Sequence, residues 1–150
     1  MVYRKKARQI DKKSKPRSVI KAPLCPYCGK RSKLMTGAEA LSTEIGEERP
    51  DLLKKLCYAC LPCNARVWCH NRDGSPLGTL ANRECRLLRK ICHKLFDELW
   101  ESGRMTRDGA YVWLAKQLGL TRRQCHFALF EETMCRRAIE ILEHEKLFRA

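Results

Sequence analysis

The chain has 150 residues, of which 44% are hydrophobic, so it can bury one modest core or two small ones. Its 31 basic and 17 acidic residues give a formal net charge of +14, which favours an anionic partner, and nucleic acid is the commonest such partner. No charged start followed by an apolar run opens the sequence, and no apolar stretch is long enough to span a bilayer. We therefore expect a cytoplasmic protein without a membrane partner.

The first residues form a basic segment with few large apolar side chains. Residues 1–22 hold nine Lys or Arg against the single acidic residue Asp11. This composition predicts a disordered arm, bounded at residues 1–23, that orders on a phosphate backbone and makes affinity sensitive to salt. A solvated tail with no specific partner is the alternative. The candidate nucleic-acid contacts on the arm are Arg4, Lys5, Lys6, Arg8, Lys12 and Lys13.

Cys25 with Cys28, and Cys60 with Cys63, form two Cys-x-x-Cys pairs within residues 24–75, and two such hairpins can bring four thiolates around one tetrahedral zinc ion. The residue after each pair must tolerate positive φ, and Gly29 and Asn64 are residue types that do so at low cost. Short strands are expected around Leu56 and Tyr58 and over residues 66–69, with an insertion over residues 38–55. The sequence thus predicts a zinc ribbon with one structural Zn²⁺ ion held by Cys25, Cys28, Cys60 and Cys63.

Other cysteine pairings have to be weighed against this assignment. Cys57 and Cys60 form a competing pair, but Leu61 follows it, and leucine is a poor residue at positive φ, so we place Cys57 in the entering strand. A disulfide framework would need an oxidising compartment, and a thiol redox role remains open for the first pair. Cys69 and His70 point to opposite faces of a strand, so at most one of them faces the metal, and packing is favoured for His70.

From Pro76 the pattern becomes helical, which predicts a helical region over residues 76–150 packed on the ribbon. Thr79 is the predicted N-cap of a helix that ends before Gly103. The apolar stripe of this helix consists of Ala81, Cys85, Leu88, Cys92, Leu95, Phe96 and Leu99. Its cysteines are expected to be packed thiols rather than ligands. The opposite face is either a phosphate-binding surface or an ordinary solvated one, and it carries Arg83, Arg86, Arg89, Lys90, His93 and Lys94.

Further helices follow this one. Thr106 is predicted to start a helix that ends at Leu118, and a second helix should run over residues 132–148. Residues 114–125 resemble a helix-turn-helix corner, with Ala115, Gly119 and Cys125 at its small, turn and core positions. Thr121-x-x-Gln124 is a capping box that can open the next helix. In that case Arg122 and Arg123 would head a recognition helix, although many such corners never touch DNA. The predicted fold class is α+β, a small zinc ribbon followed by a small helical bundle with a candidate helix-turn-helix corner.

The order of these motifs resembles a zinc-finger-containing family found in bacteriophages and prophages, over about residues 24–140. The matching strings are the two cysteine pairs, Val67-Trp-Cys-His70, Pro76-Leu-Gly-Thr-Leu-Ala-Asn82, Ala110-Tyr-Val-Trp-Leu-Ala115 and Cys125-His126. The resemblance implies a four-cysteine zinc ribbon joined to helices, a viral origin and action in the host cell cytoplasm. It brings no established activity. The family usually has glycine at the position of Trp68, and Cys57 is not part of its pattern.

No enzyme class fits the motifs well. A His-Asn-His nuclease needs its catalytic histidine between the cysteine pairs, and residues 29–56 contain no histidine and no asparagine. The sequence also has no phosphate-cradling glycine loop and no paired acidic motif, so we expect neither catalysis nor a small-molecule substrate. One function left open is binding of nucleic acid or a ribonucleoprotein, with Tyr27, Tyr58 or Trp68 stacking on bases. The other is a protein-protein interaction module that binds and modulates a host complex of the transcription, defence or nuclease machinery.

Overall fold

The computed structural model describes residues 20–41 and 50–149. Most of the basic arm, including all six of its candidate nucleic-acid contacts (Arg4, Lys5, Lys6, Arg8, Lys12 and Lys13), lies outside the described residues, as does the middle of the predicted insertion, residues 42–49. Within the part of the chain that is described, no helix combines the length and the apolar character needed to cross a bilayer.

The first half of the chain is built on a three-stranded antiparallel sheet. Strand β1 (Lys33–Thr36) is followed by two short helices, α1 (Gly37–Ala40) and α2 (Pro50–Leu53), and then by the hairpin of β2 (Leu56–Cys60) and β3 (Ala65–Trp68). The strand order is β1-β2-β3. The predicted strands on either side of the second cysteine pair are therefore confirmed, and the α+β class with them.

Both faces of the sheet are covered by other residues. Because successive side chains of a strand point to opposite faces, alternation determines on which face each cysteine of β2 lies. Cys57 is fully buried on one face, against Ala40 and Trp68, as expected for a residue of the entering strand. Tyr58 and Cys60 lie on the opposite face, where Leu80 covers them. Tyr58 is only 5% exposed, so the prediction that it can stack on a base is wrong in this fold.

The long helix α3 (Arg83–Glu101) begins later than predicted. Its N-cap is Asn82, whose side-chain oxygen accepts the N–H of Cys85 at 2.9 Å, so the prediction of Thr79 as N-cap is wrong. Thr79 instead contacts Arg89, and its hydroxyl accepts a hydrogen bond of 2.8 Å from the guanidinium. The predicted apolar stripe is correct within the helix. Its buried members are Cys85, Leu88, Cys92, Phe96 and Leu99.

Helix α4 (Arg107–Leu118) starts and ends where the sequence predicts. Thr106 is its N-cap and accepts the N–H of Gly109, and Gly119 ends it in the left-handed region at φ 68°. Helix α5 (Glu132–Arg149) packs on α3 along its length, with Arg136 paired to Glu84 and Lys146 to Glu98. The three helices enclose one core whose largest side chains include Phe96, Leu114, Phe127 and Leu142.

The predicted recognition helix is absent from the described residues. The reciprocal bonds of the Thr121 and Gln124 capping box do form, but they close a turn instead of starting a helix. The chain then makes a single 3₁₀ turn (Phe127–Leu129) before α5 begins. Arg122 and Arg123 lie in the turn that the capping box closes, and Arg122 forms an ion pair with Asp108 at 3.0 Å. The prediction of a helix-turn-helix corner is therefore wrong.

The segment between β3 and α3 joins the two halves. It folds back on itself through a bridge between Cys69 and Pro76, and it pairs with β3 through a bridge between Arg66 and Ala81. Gly78 lies so close to the backbone of Ala128 that a methyl group there would overlap the Ala128 carbonyl. The 3₁₀ turn of the helical half is therefore in direct contact with the segment that joins the two halves.

Candidate metal centre

Four cysteine side chains meet at the end of the sheet. The sulfur atoms of Cys25, Cys28, Cys60 and Cys63 all lie within 4.8 Å of one another. The Cys28 and Cys60 sulfurs are 3.7 Å apart. A tetrahedral zinc ion with zinc-sulfur bonds of about 2.3 Å separates its sulfurs by about 3.8 Å, so these thiols fit a tetrahedral metal ion.

The first knuckle is a tight turn that presents Cys25 and Cys28 from one side. The N–H of Gly29 donates to the Cys25 carbonyl and the N–H of Cys25 to the Lys30 carbonyl, both at 2.8 Å. Gly29 adopts φ 73°, as the knuckle prediction required. The backbone N–H of Lys30 is the main cause that lowers the pKa of Cys28 to about 7, so this thiol ionises readily.

The second knuckle also ends in a residue of positive φ, here asparagine instead of glycine. Asn64 adopts φ 48° and is the only non-glycine residue with positive φ in the described part of the chain. Its N–H donates to the Leu61 carbonyl at 3.0 Å. Leu61 itself does not enter the left-handed region, so the competing pair of Cys57 and Cys60 lacks the turn that a knuckle needs. Burial and the neighbouring Cys28 raise the pKa of Cys63 to about 12.

The cluster lies between the protein interior and solvent. Cys25 and Cys60 are buried, Cys63 is half-buried and Cys28 is exposed. The buried pair packs with Val67 and Leu80, which fixes the direction of two of the four sulfurs. A site of four protein ligands leaves no open position for a substrate, which is the pattern of a structural metal rather than a catalytic one.

The remaining cysteines and His70 do not join the cluster. His70 is exposed and lies in the hairpin after β3, where its backbone N–H donates to the Ser75 carbonyl at 2.7 Å. The thiol of Cys85 donates to the Phe130 carbonyl and that of Cys92 to the Cys135 carbonyl, each at 3.4 Å. The prediction that Cys85 and Cys92 are packed core thiols is confirmed.

Both knuckles are attached to the start of α3, a contact that the sequence pattern does not predict. The N–H of Asn82 donates to the Tyr27 hydroxyl at 3.0 Å, which ties the first knuckle to the N-cap. The guanidinium of Arg86 donates to the Asn64 carbonyl and the Ala81 carbonyl, both at 2.7 Å, which ties the second knuckle one turn further on. The conformation of the two metal knuckles is thereby coupled to the packing of the helical half.

The basic residues predicted on α3 separate into two groups. Arg86 and Arg89 direct their guanidiniums at protein carbonyls, Arg89 donating to Phe130 at 2.9 Å and to Thr79 at 3.0 Å. The second group is exposed and lies along one line of the helix at spacings of seven and four residues, and it consists of Arg83, Lys90 and Lys94. Arg122 and Arg123, also predicted as contacts, are exposed in the turn after α4.

Comparisons with known proteins agree with this site. The comparison with curated proteins and the comparison with solved structures each gave no match. A family model described as a zinc-finger-containing domain, DUF3268, matches residues 21–145 and so spans both the cysteine cluster and the helices. Together with the four-cysteine cluster, this match indicates a metal site of the zinc type. The chain belongs to this family of zinc-finger-containing domains.

Proposed function

We propose that the protein is a non-enzymatic bacteriophage protein that binds nucleic acid or a ribonucleoprotein, with one structural zinc ion held by Cys25, Cys28, Cys60 and Cys63. The fit of the four sulfurs to a tetrahedral ion supports the metal part of the proposal. Its role is to fix the two knuckles, since a ribbon of this size has too small an apolar core to fold without the metal.

The observation that carries the nucleic-acid part is the exposed line of Arg83, Lys90 and Lys94 on α3, which we call the basic line. It starts beside the metal knuckles, because Arg86, on the next turn after Arg83, is bound to Asn64. Long cationic side chains on one line of a rigid helix can follow a phosphate backbone, and they add to a net charge of +14. Arg86 and Arg89 contribute mainly by holding this surface in place.

The salt dependence of binding tests this part. In a titration of the zinc-loaded protein with short single-stranded DNA, the logarithm of affinity should fall linearly with the logarithm of salt concentration. Replacing Arg83, Lys90 and Lys94 together by Gln should make that slope shallower by roughly 0.7 for each phosphate contact that is lost. The matched control replaces the exposed Lys54, Lys55 and Lys116 by Gln, which removes the same charge elsewhere and should leave most of the slope. Equal slopes for the two triple variants would contradict the assignment to α3.

A second candidate function is supported by one feature of the same surface. Leu87 is 58% exposed and Ile91 39% exposed, and both lie beside the basic line. Apolar side chains flanked by cations suit an acidic amphipathic segment of a protein partner, as in a module that docks on a host complex. Capture of one stoichiometric host protein that survives nuclease digestion, together with its loss on Leu87→Asp, would favour this function over nucleic-acid binding.

A further inference from the structure

A cleft of about 430 Å³ lies at the end of the sheet that is remote from the metal centre, and we call it the basic cleft. It is at Leu56, where β2 begins, whereas the metal ligand Cys60 ends that strand about 13 Å further along. Its volume is within the range of small-ligand sites. Its polar lining comes from the turn between α2 and β2, with Lys54 and Lys55, and from the hairpin after β3, with His70, Asn71, Arg72 and Asp73.

The backbone of the basic cleft is fixed by hydrogen bonds. The N–H of Gly37 donates to the Lys55 carbonyl at 2.7 Å, which holds the turn before β2 against α1. The N–H of Cys69 donates to the Leu56 carbonyl at 3.0 Å, which joins the two walls. A ligand would therefore have to order side chains but not backbone, which keeps the entropic cost of binding low.

The lining of the basic cleft has an excess of positive charge. Lys54, Lys55 and Arg72 are exposed, and none of their side chains forms an ion pair with a carboxylate within the part of the chain that the structure describes. Asp73 is the only carboxylate among the described residues that line the cleft. Its Oδ1 atom accepts the N–H and the hydroxyl of Ser75 at 2.9 and 2.6 Å, so this oxygen is used by its own turn. Three cations against one carboxylate leave two positive charges in the lining.

This charge suits a compact dianion better than an extended strand. A phosphate monoester carries about −1.5 to −2 charges at neutral pH, whereas each diester of a nucleic-acid backbone carries one. The guanidinium of Arg72 can bind two phosphate oxygens at once, and the two lysines act as point charges. Leu56 is 44% exposed and offers an apolar contact beside these cations.

We propose that the basic cleft receives the terminal phosphate monoester of a nucleic-acid strand. Arg72 binds the phosphate oxygens, Lys54 and Lys55 neutralise the second charge, and Leu56 contacts the terminal sugar. This inference rests on the proposed nucleic-acid function and adds recognition of a strand end to it. A strand with hydroxyl ends carries only diesters, so its salt slope should still depend mainly on the basic line.

The test compares one internally labelled dT oligomer in three forms, with a 5′-phosphate, with a 3′-phosphate and with hydroxyls at both ends. Fluorescence anisotropy on the full zinc-loaded chain at fixed salt gives the three affinities. We expect at least one phosphorylated form to bind about tenfold more tightly than the hydroxyl form, as for charge-assisted hydrogen bonds to one phosphate. The readout is the ratio of two affinities, so a general loss of charge cancels.

Two double variants with the same loss of charge test the residues. Lys55→Gln with Arg72→Gln should reduce the ratio to about one, because the dianion loses both its fork and a point charge. Lys33→Gln with Lys116→Gln changes exposed residues outside the basic cleft and should keep the ratio. Continued binding of the hydroxyl form shows that each double variant is folded.

The outcomes separate the two levels of the proposal. Equal affinities for the three forms, or a ratio that survives Lys55→Gln with Arg72→Gln, would overturn the strand-end site while the nucleic-acid function stands. Absence of binding to every form would overturn both. If free dTMP or a phosphoserine peptide abolished the ratio at a lower concentration than an unlabelled phosphorylated oligomer does, the cleft would belong to a nucleotide or to a phosphoprotein, and the strand-end assignment would be wrong.

Discussion

Arg86 of α3 donates a hydrogen bond of 2.7 Å to the carbonyl of Asn64, the residue that follows the last cysteine of the metal cluster. The same nitrogen donates to Ala81, at the end of the segment that leaves the ribbon. One guanidinium therefore holds the second knuckle, the connecting segment and the long helix together. This contact connects the second metal knuckle to the helix that carries the basic line.

Replacing Arg86 should loosen this junction. Arg86→Gln removes the charged donor from two backbone carbonyls, and we expect the free energy of unfolding to fall by about 2 kcal/mol. Denaturant unfolding of the zinc-loaded protein measures it. Arg83→Gln, one turn earlier and exposed, is the control and should change stability by less than about 0.5 kcal/mol. If the two variants were equally stable, the contact would contribute nothing to the fold.

Replacing a cysteine of the metal cluster should have a different effect on zinc content from replacing a cysteine outside it. Cys28→Ser and Cys63→Ser should each abolish stoichiometric zinc binding and unfold the ribbon, because a ligand and its charge are lost. Cys57→Ala and Cys92→Ala remove buried thiols outside the cluster and should keep the zinc content while lowering stability. Zinc content per chain after purification is the measurement. Zinc retained by Cys63→Ser, or lost from Cys57→Ala, would show that the other pair of cysteines forms the second knuckle.

Stability should depend on whether the residue at position 64 tolerates positive φ, rather than on whether it is polar. Its φ of 48° suits glycine and asparagine but strains a β-branched residue. Asn64→Gly should be tolerated within about 0.5 kcal/mol, whereas Asn64→Val should cost roughly 2 kcal/mol and weaken zinc binding. Thermal unfolding with and without a zinc chelator compares them. Similar melting temperatures for the two variants would argue against a strained knuckle.

His93 should make stability depend on pH. Its ring packs on Phe127 at 4.6 Å between centroids. Partial burial lowers the pKa of His93; Asp97 opposes this shift, and His126 and Arg107 reinforce it. The unfolded state therefore binds a proton more readily, so stability should fall as pH drops below the ordinary histidine pKa of about 6.5 and through the lower folded value.

His93→Gln should flatten this part of the stability profile. His144→Gln, which changes an exposed histidine stacked on Phe148, is the control and should leave the profile as it was. Urea unfolding at a series of pH values gives both curves. A profile for His93→Gln that still falls as steeply would assign the pH dependence to other groups.

Local signals were enough to predict the metal site and part of the helical half. The knuckles could be found because Cys-x-x-Cys followed by Gly29 or Asn64 encodes both ligand spacing and backbone turn. Helix α4 could be bounded because Thr106 and Gly119 are a cap and a stop that act through neighbours in sequence. These features need no knowledge of the rest of the fold.

The errors came from contacts between distant parts of the chain. Thr79 has the residue type of an N-cap, but Arg89 and Ala128 bind it, and Asn82 takes the cap instead. The Thr121 and Gln124 box is also real, yet Phe127 is drawn into the core and the chain turns before a helix can extend. Propensity is overridden in both places by tertiary packing.

The sequence pattern also could not predict that Tyr58 is buried, or that Arg86 and Arg89 bind carbonyls within the protein. Alternation along β2 places Tyr58 on one face of the sheet, but only the packing of Leu80 shows that this face is covered. Arg86 and Arg89 share the helix surface with Lys90, and their bonds to carbonyls depend on how the ribbon docks. A helical wheel alone does not separate cations that hold the fold from those that face solvent.

Zinc X-ray absorption spectroscopy of the purified full chain tests whether four cysteines hold one zinc ion. We predict one zinc per chain and a coordination shell of four sulfurs at about 2.3 Å. Zinc bound by fewer sulfurs, with nitrogen or oxygen completing the shell, would contradict the assignment of Cys25, Cys28, Cys60 and Cys63.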